Sequence, residues 1–169
     1  MRKAFTLIEM MIAISILSIM IIFLYESYAS LNISNKFYKK ELLTIKNKQL
    51  KKRVLYLDFL LAFSNNIKIL NQDNKIDIVF LQSKNSMHKR YNPYIAYIIK
   101  NSNLYRLESL HKFNSFPLSI DAKFSVQHFG EIENFRVYKS KFDESYLLHV
   151  KFKNEDDILL KIESAKTTV

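Results

Sequence analysis

Glu9 is the residue whose placement most needs a chemical explanation. It stands within Ala4 to Tyr25, a run of 22 residues whose other polar members are hydroxyl side chains alone. A carboxylate near the start of a membrane helix is unfavourable unless a cation meets it. A new amino terminus at Phe5, made by cleavage between Ala4 and Phe5, would supply that cation. The ammonium would lie one helical turn before Glu9, or within reach of Glu9 on an adjacent subunit, and the cut would remove Arg2 and Lys3.

The remaining residues with catalytic or ligating potential do not assemble by spacing. His88, His111, His128 and His149 show no i, i+4 pairing with another His or Glu, so no metal site is expected. Glu155, Asp156 and Asp157 crowd one turn without the alternating oxygen ligands of a calcium loop. The chain has no cysteine, which excludes disulfides, thiol nucleophiles and iron–sulfur clusters. It has one glycine, Gly130, so glycine-rich phosphate loops are excluded as well. No serine sits in a nucleophile elbow. Neither a cofactor nor an enzymatic activity is expected.

Charge offers a second kind of chemistry. From Ser27 onward 24 basic residues face 14 acidic ones. Between Lys36 and Arg53 there are eight basic residues and one acid, Glu41. A solvated helix face is the plainer reading of this stretch; the functional one makes Lys36, Lys39, Lys40, Lys51, Lys52 and Arg53 contacts for an anionic partner, either lipid headgroups or acidic faces of other subunits. Lys89 and Arg90 form a second basic pair. Together with Lys84, Lys100 and Arg106, and interleaved with Tyr91, Tyr94, Tyr97, Tyr105, Tyr138 and Tyr146, they could make a stacking and phosphate-binding surface for DNA; sheet packing is the plainer role for tyrosine.

The elements that must carry these groups follow from periodicity. At about 1.5 Å per residue the first apolar run is long enough to cross a ~30 Å hydrocarbon core. It is long for a cleaved secretory signal, and Ala29-Ser30 is a poor cleavage site. Leu43, Leu50, Val54, Leu57 and Leu61 follow at spacings of 7, 4, 3 and 4, one helical stripe. Proline and glycine are absent from Met1 to Phe63, so one helix is expected from near Phe5 to about Ser64, ending at Asn65-Asn66.

Beyond Asn66 the period changes to that of strands. Strands are expected near Ile67-Leu70, Ile76-Leu81, Tyr94-Lys100, Leu104-Leu110, Ala122-Phe129, Phe135-Tyr138, Tyr146-Phe152 and Ile158-Ile162. Turns are expected at Asn71-Gln72-Asp73-Asn74, Asn101-Ser102-Asn103 and Asn154-Glu155-Asp156-Asp157. Ala122, Phe124 and Val126 read as one buried face, and Leu148, Val150 and Phe152 as another. The fold class is α+β: a long N-terminal helix, its first half transmembrane, packed on antiparallel sheet. The expected organisation is a leader at residues 1–4, a membrane helix at 5–26, a helix extension at 27–65 and a β-rich domain at 66–169.

Lys3-Ala4-Phe5-Thr6-Leu7-Ile8-Glu9, with the apolar helix after it, resembles the processing site of type IV prepilins and pseudopilins. The resemblance implies that a prepilin peptidase cuts before Phe5 and methylates its nitrogen, and that Glu9 aids docking of one subunit on the next. That family usually has glycine where Ala4 stands. It implies an inner-membrane protein with a cytoplasmic N-terminus and a periplasmic C-terminal domain, partnered by other pseudopilins in a hetero-oligomeric tip. Leu57-Asp58, Tyr94-Ile95-Ala96-Tyr97 and Leu104-Tyr105-Arg106 make the body similar to the J-type minor pseudopilin of type II secretion. A minor pilin, or a DNA-binding pseudopilin of a transformation apparatus, is the alternative.

Overall fold

The computed structural model describes residues 6–113, 115–118 and 123–163. Ala4, Phe5 and the expected strand start at Ala122 lie outside the described residues. Two compact units divide the chain, Met1–Lys48 and Gln49–Val169.

One helix, α1 (Leu7–Leu60), runs through the first unit and into the second. Its length follows from a sequence without helix breakers. Within the first unit its apolar side chains are exposed, and it contains a segment long and apolar enough to cross a membrane. Ser15 and Ser18 bond their hydroxyls to the carbonyls of Met11 and Ile14, one turn back, which satisfies both within the helix.

In the second unit the last turns of α1 bury Val54, Leu55, Asp58 and Phe59. This differs from the expected leucine stripe. Leu43 and Leu50 are exposed, while Leu57 and Leu61 are half-buried. The helix is rotated so that Phe59 enters the aromatic core beside Tyr97 and Tyr146 and Asp58 meets a cation in the sheet. A short 3-10 turn, Ser64–Asn66, ends the helical region at the expected asparagines.

Seven strands follow among the described residues: β1 (Lys68–Asp73), β2 (Ile76–Gln82), β3 (Tyr94–Lys100), β4 (Asn103–Ser109), β5 (Ser125–Lys139), β6 (Ser145–Phe152) and β7 (Ile158–Glu163). They lie in chain order in one sheet, with antiparallel neighbours and an added parallel contact of Ile76 with Phe135. The α+β architecture is the one expected.

Three local features depart from the sequence reading. The two strands expected at Ala122-Phe129 and Phe135-Tyr138 are one 15-residue strand. Its first half pairs with β4 and its second with β6, so each half had a separate signal. The bend lies at Gly130, whose φ of 122° suits glycine, opposite a register shift at Leu104/Tyr105. Second, the expected buried face at Phe124 and Val126 is turned away from α1: Phe129, two residues from Gln127, enters the main core. Phe124 packs with Phe113 in a smaller cluster on the opposite face, and Val126 is exposed. Third, the first turn tightens to Asn74-Lys75, with Asn71 to Asp73 in β1.

Asn101 and Ser102, with φ of 50° and 59°, form a two-residue hairpin turn matched to strand twist. Leu148, Val150 and Phe152 are buried as expected.

Candidate functional site

Three groups of residues have functional chemistry: the start of α1, the basic side chains, and a buried ionic cluster beneath the segment before β3.

Thr6 precedes the first residue of α1 and Glu9 is its third. The Thr6 N–H and hydroxyl each donate to Glu9 Oε2 at 2.9 Å, and the Glu9 N–H donates back to Thr6 Oγ1 at 3.4 Å. This is a capping box, in which two otherwise unpaired backbone donors are satisfied reciprocally. Glu9 thus has a local structural role beside the assembly role expected of it. Threonine followed three residues later by glutamate is legible in the sequence, and the reading that singled out Glu9 overlooked Thr6. Glu9 Oε2 carries both bonds from Thr6.

The basic residues divide into two sets. Lys36, Lys39, Lys40, Lys52, Arg53 and Lys89 are exposed. Lys51 is instead held within the second unit: its Nζ lies 3.2 Å from Glu155 Oε1 and 4.3 Å from the centre of the Phe152 ring. Arg90 is also held. Its guanidinium donates to the Glu108 carbonyl and, at 2.9 Å, to Ser125 Oγ, while its N–H donates to Ser86 Oγ at 2.7 Å. Lys51 and Arg90 therefore brace the fold. The tyrosines do not form one stacking surface, because Tyr97 and Tyr146 belong to the buried core.

The cluster is built from Asp58 on α1, Tyr97 on β3, and Arg106 and Glu108 on β4, all fully buried. Tyr97 and Arg106 share the α1-facing side of the sheet because they are cross-strand partners. Arg106 Nε donates to Asp58 Oδ2 at 2.7 Å and Nη2 to Oδ1 at 3.1 Å; Nη1 donates to Glu108 Oε2 at 2.8 Å. The Tyr97 hydroxyl donates to Asp58 Oδ2 at 2.5 Å and Asn85 Nδ2 to Oδ1 at 2.6 Å. Ser86 Oγ and the Met87 N–H complete the shell of Glu108 at 2.6 and 3.1 Å.

Burial pushes the Asp58 carboxyl above its ordinary range, against the opposing pull of Arg106, Tyr97 and Asn85. Burial also pushes the Tyr97 phenol well above its ordinary value, and the charge of Asp58 adds to this. Burial works against the charge of Arg106, but its hydrogen bonds to and the charge of Asp58 outweigh that and strengthen its hold on the proton. Burial raises Glu108 too, yet the Ser86 hydroxyl, Arg106 and the Met87 N–H bring it below the ordinary glutamate range. The cluster thus holds two carboxylates around one guanidinium and pins the segment between β2 and β3 to the core. Asp58 carried a signal in the sequence only through the family resemblance, and Tyr97 and Arg106 through that resemblance and the tyrosine-and-basic pattern; Glu108, Asn85 and Ser86 gave no periodic signal.

His149 lies between Asn134 and Asp157, with its two ring nitrogens 3.0 and 3.2 Å from their side chains. No group of three or more His, Asp or Glu side chains that could hold a metal ion occurs among the described residues.

Residues 1–25 match the family described as the prokaryotic N-terminal methylation motif, the signal of type IV pilins and pseudopilins. No curated protein and no solved structure matches the chain.

Proposed function

We propose that this chain is a minor pseudopilin, a non-enzymatic subunit that primes or caps a periplasmic pseudopilus of a type II secretion-like machine. The observation that carries this reading is the match of residues 1–25 to the methylation motif, continuous with a single 54-residue helix that has a membrane-length apolar segment. In this reading the N-terminus is cytoplasmic before processing and the sheet domain is periplasmic. Phe5 becomes the methylated amino terminus, and Glu9 receives the ammonium of a neighbouring subunit. The partners are a prepilin peptidase, the inner membrane and other pseudopilins in a tip complex. The Asp58, Tyr97 and Arg106 constellation supports a J-type body.

Mass spectrometry of the membrane-extracted protein is the test. The mature chain should begin at N-methylated Phe5. A chain retaining Met1, or beginning near Ser30, would overturn the reading.

One observation favours a second reading, a DNA-binding subunit of a transformation apparatus: Lys36, Lys39, Lys40, Lys52 and Arg53 are exposed on one helix. Such binding would weaken steeply as salt rises, because phosphate contacts release counterions. Oligonucleotide binding with that slope would select the second reading; its absence at low salt would remove it.

A further inference from the structure

Strand β1 forms one edge of the sheet. It pairs with β2 on one side only, so alternate backbone N–H and C=O groups along Lys68–Asp73 face away from any named strand. The strand is mostly exposed and has no proline to block pairing. Beside its start lies a cavity of about 310 Å³, lined by Asn65, Lys68, Phe80, Tyr94, Lys112 and Phe113 among others.

The register fixes what this cavity offers. Lys68 is the cross-strand partner of Phe80, so both point to the face opposite α1. There Phe80 stacks on Phe113 with ring centres 6.0 Å apart, giving an apolar floor. Lys68 and Lys112 are both exposed at its rim, and no acidic partner meets either among the described residues. An apolar floor between two cations, continuous with an open strand edge, matches a ligand that combines carboxylates, an apolar side chain and a free backbone.

We propose that this corner docks an extended acidic peptide segment of another protein. The segment adds to β1 as a further strand, seats an apolar side chain over Phe80 and Phe113, and places carboxylates on Lys68 and Lys112. Strand addition draws affinity from main-chain hydrogen bonds and selectivity from the alternate side chains. The six residues of β1 span about 20 Å, so a segment of roughly six residues fills the edge. Nucleic acid fits less well, because base stacking needs a broad open ring face, whereas Phe80 and Phe113, at 5% and 7% exposed, leave room only for a small apolar contact. A second copy of the chain is opposed by its +10 charge. The site lies wholly in the second unit and needs neither Phe5 nor Glu9, so it stands or falls apart from the filament reading.

The test is selection of random hexapeptides, displayed on phage, against the detergent-solubilised full-length protein. Enriched sequences should carry Asp or Glu two residues away from an apolar residue, because Lys68 and Phe80 share one face and only every second side chain of an added strand reaches it. The synthetic peptides should bind at least tenfold more weakly to the Lys68→Glu/Lys112→Glu variant, and several-fold more weakly to the milder Lys68→Gln/Lys112→Gln variant. Both variants should melt as the parent does, since both lysines are exposed. Bound peptide should slow hydrogen exchange at amides of β1. No enrichment, enrichment of basic sequences, or binding indifferent to the lysines would overturn the proposal. So would protection of β7 instead of β1. Oligothymidylate binding that depends on Lys68 and Lys112, in place of peptide, would assign the site to nucleic acid.

Discussion

Arg106 grips Asp58 through two hydrogen bonds, Nε to Oδ2 at 2.7 Å and Nη2 to Oδ1 at 3.1 Å, and thereby joins the last turns of α1 to the middle of the sheet. Both side chains are wholly buried. Two-point pairing fixes orientation as well as distance, which explains why the helix presents Asp58 to the sheet while Leu57 is only half-buried.

Removing one partner should be costly. Arg106→Met would leave Asp58 and Glu108 without their shared cation and should destabilise the folded domain by about 3–5 kcal/mol. Asp58→Leu should also destabilise it. The double variant should lose less than the sum of the two single losses, because the charges are removed together. Urea denaturation of the solubilised protein, followed through its sheet signal, measures all three. Strict additivity would show that the pair is not energetically coupled.

Acid should reveal Glu108. Its carboxyl titrates lower in the folded protein than its ordinary value of 4.5. The stability it contributes is therefore present above that value and is lost as pH falls through the depressed folded one. Asp58 has the opposite sign: its raised folded value favours folding below its ordinary 3.8 and is lost as pH rises through the folded value. Glu108→Gln should accordingly lower the melting temperature at pH 7, and the gap from the parent should shrink below about pH 4.5. A gap that stays constant from pH 7 to pH 3 would contradict the assignment.

Glu9 has two roles that substitution can separate. Glu9→Leu removes both the charge and the two bonds that Thr6 donates to the carboxylate, while Thr6 Oγ1 still accepts from the backbone N–H of residue 9. Glu9→Gln retains a capping oxygen but removes the charge. If the proposed ammonium partner exists, both variants should insert in the membrane and both should lose more than tenfold in crosslinking to neighbouring pseudopilins. The loss should be large because an ammonium left without its counter-charge among apolar helices is strongly unfavourable. Full crosslinking by Glu9→Gln would mean that Glu9 acts through the cap alone.

Gly130→Ala tests the bend in β5. An added Cβ would lie 3.4 Å from Lys51 Nζ and 3.8 Å from Phe152, which is tolerable space, but φ at 122° is strained for any L side chain. A loss of about 1–3 kcal/mol is expected, from backbone strain rather than clash. A thermal melt unchanged from the parent would show that the strand can bend without glycine.

The sequence by itself determined the order and type of nearly every element. Tyr94–Lys100 is a strand at the residues expected, because its pattern of large apolar side chains is local information. The unbroken helix was likewise legible, since helix formation needs only neighbours within a few residues. The motif matched over residues 1–25 was legible for the same reason, since its pattern is carried by consecutive residues.

Only the tertiary structure decided which faces meet. Of the stripe Leu43, Leu50, Val54, Leu57 and Leu61 only Val54 is fully buried; the rest of the helix burial falls on Leu55, Asp58 and Phe59. Hydropathy ranks a buried aspartate as solvent-facing, so no local pattern turns Asp58 inward; its burial depends on Arg106, 48 residues away. The same holds for Lys51 and Arg90, whose charges look free in one dimension. Lys51 reaches Glu155 across 104 residues, and Arg90 reaches Ser125 across 35. Periodicity records which side chains share a face, whereas the pairing of buried charges is set by strand register and helix rotation, which arise only when the elements pack.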